Sequence, residues 1–416
     1  MKNDFDVVII GAGPAGSLAA ARLMQDNLSV LVLEKMEFPR FVIGESLLPQ
    51  SMDYFEKTGL LKCVEDQKFQ VKTGVAFLHN DKICDFYFKD RFSEGWDYTY
   101  QVKRADFDNA LIQEVEKKGA KVLFNATVTN VVTGEHQQKV TYSTEEKGEE
   151  TVSCGFVIDA SGYGRVLPRM FDMEKPVSSK PRGAIFSHVE DDKRSSKAGE
   201  NIFIYDFNDN SAWIWCIPFS DGTCSVGVVG DVELIKEFSE NEGAKFKAMI
   251  SDFPGLNDRF KDTKYIFEPK QILNYAVSVD KMYGQGFVLC GNSTEFLDPV
   301  FSSGVTLAVA SGYKAAELVI KQLKGENVDW ENDYEKIIKS GVNVFRSYVN
   351  AWYSGELHTI FFVEEENFEF KRQICSVLAG YVWDETNPFV KKHSTVLTTL
   401  AKVIKINEAE AAKRFN

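Results

Sequence analysis

Short apolar runs punctuated by glycine dominate the first third of the chain. Val7-Val8-Ile9-Ile10 leads into Gly11-Ala12-Gly13-Pro14-Ala15-Gly16, then into Ser17-Leu18-Ala19-Ala20-Ala21-Arg22-Leu23. A continuous β-branched run of this length reads as a strand buried on both faces. The alanine- and leucine-rich segment after it reads as a helix. A second buried strand, Val30-Leu31-Val32-Leu33, ends at Glu34. The same texture returns later. Residues 104–118 form a helix with Ala105, Phe107, Ala110, Leu111 and Val115 on one side. Short strands are expected at 121–124, 156–162 and 286–292, and a long helix at 304–324.

Between these segments the pattern is that of paired strands. Residues 71–77 and 83–88 alternate around an Asn80-Asp81 turn, and 128–132 and 138–143 form a hairpin. From residue 165 onward, 183–189, 202–205, 212–217 and 223–229 are strand-like with turn residues between them. They predict an antiparallel sheet. Residues 232–262 read as helical, and the stretch from 328 to the end is helical, aromatic and acidic.

The glycine turn carries chemistry. Gly11 permits the tight turn, Gly13 lets a pyrophosphate approach the backbone, and Gly16 lets the helix lie close to the strand. The helix start then offers free N–H groups to an anion. Glu34 ends the next strand, where a dinucleotide fold places its ribose-binding carboxylate. Composition narrows the field. The net charge of −13 argues against nucleic acid and anionic membrane surfaces as partners. No apolar run is long enough to span a bilayer, and with the first strand starting so near Met1 no signal peptide is expected. The seven cysteines form no CxxC pair, and both they and the five histidines are dispersed. No disulfide framework and no metal site are therefore expected, and a cytoplasmic location is.

Further motifs agree with one family. Arg40 is followed by Gly44-Glu45-Ser46-Leu47-Leu48-Pro49. Gln101-Val102-Lys103-Arg104 precedes Phe107-Asp108. Gly291-Asn292 is followed by Phe296-Leu297-Asp298-Pro299-Val300-Phe301-Ser302-Ser303-Gly304. Trp213-Ile214-Trp215-Cys216-Ile217-Pro218 is a full WxWxIP string. Over residues 1 to 325 the chain resembles the flavin-dependent halogenases and their dehydrogenase-like relatives, a branch of the FAD-dependent aromatic-hydroxylase superfamily.

The resemblance implies an α/β fold. A Rossmann-type FAD-binding domain (1–66, 98–165 and 280–325) would carry an inserted antiparallel β-sheet substrate domain (67–97 and 166–279) and a helical C-terminal cap (326–416). It assigns the flavin to Gly11, Gly13, Ala15, Gly16, Glu34, Lys35, Arg40, Glu45, Ser46, Arg104, Val128, Gly162, Asn292, Pro299, Gly304 and Val305. Asn292 stands where the family usually has aspartate. An amide can still hydrogen-bond a ribityl hydroxyl. For chemistry it points to Lys72, Trp213, Trp215 and Ser302. The tryptophans share one strand face and would wall the flavin from the substrate, although strand aromatics are commonly core. Lys72 would hold or transfer the halogen, the alternative being an ordinary surface lysine.

The implied activity is halogenation of an electron-rich aromatic, a phenol or pyrrole that a carrier protein can hold. The implied requirements are FAD reduced by a partner flavin reductase, oxygen and a halide ion. Two other enzyme readings stand beside it: an FAD-dependent monooxygenase, and a reductase of isoprenoid or polyene double bonds. A flavin-binding protein of a biosynthetic assembly is the non-enzymatic alternative.

Overall fold

The computed structural model describes residues 3–177, 180–194, 201–207, 209–364 and 367–415. Its first sheet is built on Phe5–Ile10, which pairs in parallel with Val30–Leu33 on one side and with Gly148–Asp159 on the other. Lys121–Leu123 extends it beyond Val30–Leu33, and Phe287–Leu289 extends it beyond Gly148–Asp159, again in parallel. Val7, Val8 and Ile9 are fully buried, as the continuous apolar run requires. Gly148–Asp159 runs to 12 residues. Its first half pairs antiparallel with Gln138–Thr144, so one strand serves both a hairpin and the parallel core. The helices Pro14–Gln25 and Ser303–Leu323 cross closely over this sheet. A Cβ at Gly312 would stand 2.3 Å from the Ala15 carbonyl oxygen.

The second sheet has seven strands, in the order Lys270–Leu273, Arg182–Glu190, Thr223–Asp231, Ala212–Pro218, Ile202–Phe207, Gly74–His79, Lys82–Tyr87. This part of the chain departs from the expected pattern in four places. Ile202–Phe207 and Gly74–His79 run parallel, because the long excursion between them returns through the first sheet and gives the crossover that parallel neighbours need. The run 71–77 is split at Thr73. There the Thr73 and Gly74 amides both donate to Asn201 Oδ1, at 2.8 and 3.0 Å. Gln70–Lys72 consequently leaves the second sheet and pairs with Thr99–Gln101 in a two-stranded ribbon. The helix across 232–262 is interrupted at Glu240–Gly243, where Asn241, Glu242 and Gly243 have positive φ, and Lys270–Leu273 is an additional strand.

The C-terminal helices close over the second sheet. Tyr348 and Trp352, on Lys336–Tyr353, and Phe361 share one buried cluster with Phe77, Trp213 and Trp215. Among the described residues no helix is long and apolar enough to cross a membrane.

Candidate active site

A cavity of about 290 Å³ runs between the two sheets, from the glycine turn at one end to Trp213 and Trp215 at the other. At the turn, Gly11 has φ +98°, and a Cβ there would lie 2.6 Å from the Ala160 carbonyl oxygen. A Cβ at Gly16 would lie 2.0 Å from the Gly11 carbonyl oxygen. Only glycine fits either position. Gly13 is different: a Cβ would meet only Arg40 Nη2, at 3.5 Å, so its backbone faces open space. The Glu34 carboxylate accepts from the Ala12 and Met36 amides at 2.9 and 3.0 Å. It is thereby held at the strand end beside the turn.

The two arginines expected at the cofactor share one carboxylate. Arg104 Nε and Nη2 donate to Asp108 at 2.8 and 2.9 Å, and Arg40 Nη1 donates to Asp108 Oδ2 at 3.0 Å. Arg104 Nη1 also donates to the Ile43 carbonyl at 3.1 Å, which fixes the start of the segment crossing the cavity. Asp108 is fully buried. Its role was hidden in the sequence because helical spacing alone does not show that Arg40 reaches it.

Glu45 is 1 % exposed and lies 2.7 Å from His188 Nε2 on the second sheet. Phe41 stacks on Phe186 beside this pair. Glu45 Oε2 and Ser46 Oγ have no hydrogen-bond partner, and both residues line the cavity. Orphaned buried acceptors are rare. These two could accept from hydroxyl or N–H groups of a ligand, while the open backbone of Gly13 in the same cavity could meet a phosphate; together they fit a dinucleotide such as FAD.

Opposite this segment, Asn292, Pro299, Ser302, Gly304 and Val305 line the cavity. Ser302 has φ +55° and makes no side-chain cap to the helix Ser303–Leu323. Asp298, buried behind them, accepts from the Tyr275 and Tyr353 hydroxyls at 2.8 Å each. Burial pushes the Asp298 carboxyl up, against the two tyrosines that hold it down. Trp213 Nε1 donates to the Tyr353 hydroxyl at 2.9 Å and Trp215 Nε1 to Ser225 Oγ at 3.0 Å. The two indoles lie 5.8 Å apart at 49°. Gly227 makes room for them, since a Cβ there would sit 2.2 Å from the Trp215 ring. Tyr275, Tyr353 and His188 were not found from sequence. Each is far along the chain from its partner and carries no local motif.

Ala15, Lys35 and Gly162 also line the cavity. Three expected residues stand outside its wall. Gly16 lies behind the turn. Val128 is on Thr127–Val132, paired with Tyr142. Lys72 is 1 % exposed and packed behind the crossing segment, its Nζ donating to the Leu47 carbonyl at 2.8 Å and lying 5.4 Å from the Phe88 ring centroid. Burial lowers its pKa to about 7. It is no surface lysine, and it belongs to the ribbon and not to the second sheet.

The family described as FAD binding domain matches residues 4–334. A solved flavoprotein/dehydrogenase from Cytophaga hutchinsonii is 45% identical, with a TM-score of 0.95 over 97% of this chain and 99% of its own. The 1H-pyrrole-2-carbonyl peptidyl-carrier-protein brominase of Pseudoalteromonas luteoviolacea is 28% identical, covering 92% of this chain and 93% of its own. The corresponding chlorinase of Pseudomonas fluorescens is 26% identical, covering 92% and 90%. With the turn, the paired arginines and the tryptophan wall in one cavity, the chain belongs to the FAD binding domain family, as an FAD-dependent oxidoreductase of its halogenase and dehydrogenase-like branch.

Proposed function

We propose that the protein halogenates an electron-rich aromatic, with a pyrrole tethered to a carrier protein as the foremost substrate class and a separate reductase as the source of reduced FAD. One observation carries the reading: the Trp213–Trp215 wall and the Pro299–Val305 segment line the same cavity as the phosphate-facing glycine turn. Two relatives matched over nine tenths of their length are named for halogenating such a pyrrole. Bound FAD, with oxygen and halide, supplies the oxidising chemistry that yields an electrophilic halogen.

The chain's own residues do the rest. Gly11, Gly13 and Glu34 would hold the nucleotide end, and Arg40, Arg104, Glu45 and Ser46 the middle. The start of the helix Ser303–Leu323, left uncapped by Ser302, presents amides suited to an anion such as halide. The indoles form a stiff apolar wall that excludes water. Lys72, with its pKa lowered to about 7 by burial, holds a large neutral fraction near neutrality. A neutral amine can hydrogen-bond or take up an electrophilic halogen, as a guanidinium cannot.

A second reading, alkene reduction or dehydrogenation, is favoured by one specific observation: Lys72 stands outside the cavity wall, with its amine on the Leu47 carbonyl. The 45%-identical neighbour bears the name dehydrogenase. Mass spectra of products from a panel of phenols, pyrroles and polyenes, with reduced FAD, with and without oxygen and with and without bromide, decide between them. Bromide-dependent products support halogenation. Products formed without oxygen support reduction.

A further inference from the structure

On the face of the second sheet that carries Trp213 and Trp215, but outside the lining of the flavin cavity, His79, Asp206 and His358 converge under the C-terminal helices, with Asp206 the cross-strand neighbour of Trp213. Their ligand atoms all lie within 4.8 Å of one another. Register explains two of them. Gly74–His79 and Ile202–Phe207 are parallel neighbours with Leu78 opposite Tyr205, so His79 and Asp206 follow side by side on the opposite face from that pair. The third comes from the C-terminal helix Glu356–Phe361, where the Trp352 ring packs against the His358 imidazole at 4.2 Å between centroids.

We infer that His79, Asp206 and His358 form a binding site for a divalent transition-metal cation of the Zn²⁺ type, which fastens the second sheet to the C-terminal helices. His79 Nδ1 lies 2.7 Å and His358 Nε2 3.3 Å from Asp206 Oδ2. A tetrahedral zinc with bonds of about 2.0–2.1 Å holds its ligand atoms roughly 3.4 Å apart, so small side-chain adjustments admit the ion.

Hydrogen bonding points the same way. His358 is 7 % exposed; its Nδ1 has no hydrogen-bond partner, its Nε2 meets only Asp206 Oδ2, at 3.3 Å, and Asp206 Oδ1 has no partner. A buried imidazole left in this state is costly, and a metal bond would satisfy it. Two imidazoles with one carboxylate suit zinc, copper or nickel and not calcium or magnesium. Three protein ligands leave one position open, and the site opens on a cavity of about 360 Å³ lined in part by Lys82, Lys405 and Glu408. The two lysines oppose a cation and Glu408 favours it, so the three ligands must supply the affinity themselves.

The test uses the full-length, FAD-loaded protein, freed of adventitious metal with a chelator and then dialysed. Titration with Co²⁺ is expected to give visible bands of a four-coordinate N/O site at one equivalent. Zn²⁺ is expected to displace the cobalt and raise the melting temperature. His79→Ala and His358→Gln are each expected to weaken binding by at least about 100-fold with the flavin absorbance unchanged. No stoichiometric cobalt binding by the wild type, or equal binding by the variants, overturns the proposal. Should His358→Gln fail to fold, His79→Ala decides alone, because that side chain is one third exposed.

Discussion

Glu45 and His188 meet at 2.7 Å although 143 residues separate them. The contact ties the segment crossing the flavin cavity to the second sheet. It is buried, and Glu45 Oε2 already lacks a partner. His188→Ala would leave the whole carboxylate unsatisfied, and removing one member of a buried pair costs about 3–5 kcal/mol. Urea denaturation should show a loss of that order. Glu45→Gln keeps one hydrogen bond and should lose less.

Lys72 gives a pH signature. Its pKa falls from 10.5 to about 7 on folding because burial disfavours the charge. Between those values the unfolded chain binds more protons than the folded one, so stability attributable to this group rises with pH across that window and is flat below it. Lys72→Met should flatten the slope and raise stability at neutral pH, since an apolar side chain of similar length suits the site. If the amine handles halogen, the same variant should lose about 10²–10⁴-fold in halogenation rate with FAD binding retained. Denaturation from pH 6 to 10, beside product assays, separates the two effects.

What was legible in the sequence was local. Gly11, Gly13, Gly16 and Glu34 announce themselves because a tight turn, a close approach and a strand end each demand one residue type at one spacing. Trp213 and Trp215 are placed on one face by strand periodicity alone. The Asp298–Tyr353–Trp213 chain was not legible, because it joins three elements whose meeting depends on how the C-terminal helices close. Lys72 illustrates an intermediate case. Its segment was read as strand, but its departure into a separate ribbon depends on Asn201, 128 residues past Thr73.

The glycines give two stringent substitutions. Gly16→Ala would drive a Cβ to 2.0 Å from the Gly11 carbonyl oxygen, which neither backbone can yield without opening the turn. Purified protein should carry little or no FAD, as read from flavin absorbance. Gly227→Ala would press the Trp215 ring at 2.2 Å. Overpacking of this kind costs about 1–3 kcal/mol, and the indole must turn into the cavity. FAD should still bind, while product distribution changes.

Tyr353→Phe tests the link between the C-terminal helices and the tryptophan wall. It removes the acceptor for Trp213 Nε1 and one of two tyrosine donors to Asp298. Buried groups left unsatisfied cost about 1–3 kcal/mol. Thermal denaturation should register that loss, and the Trp213 fluorescence environment should change.

The central claim, that the flavin cavity serves halogenation, is tested most directly by intact-protein mass spectrometry of a pyrrolyl-loaded carrier protein. The carrier is incubated with this enzyme, a flavin reductase, FAD, oxygen and bromide. The account predicts a carrier species bearing a bromine isotope pattern, absent without bromide and absent with Lys72→Met. A carrier left unmodified, or an oxygenated product formed equally well without bromide, would contradict it.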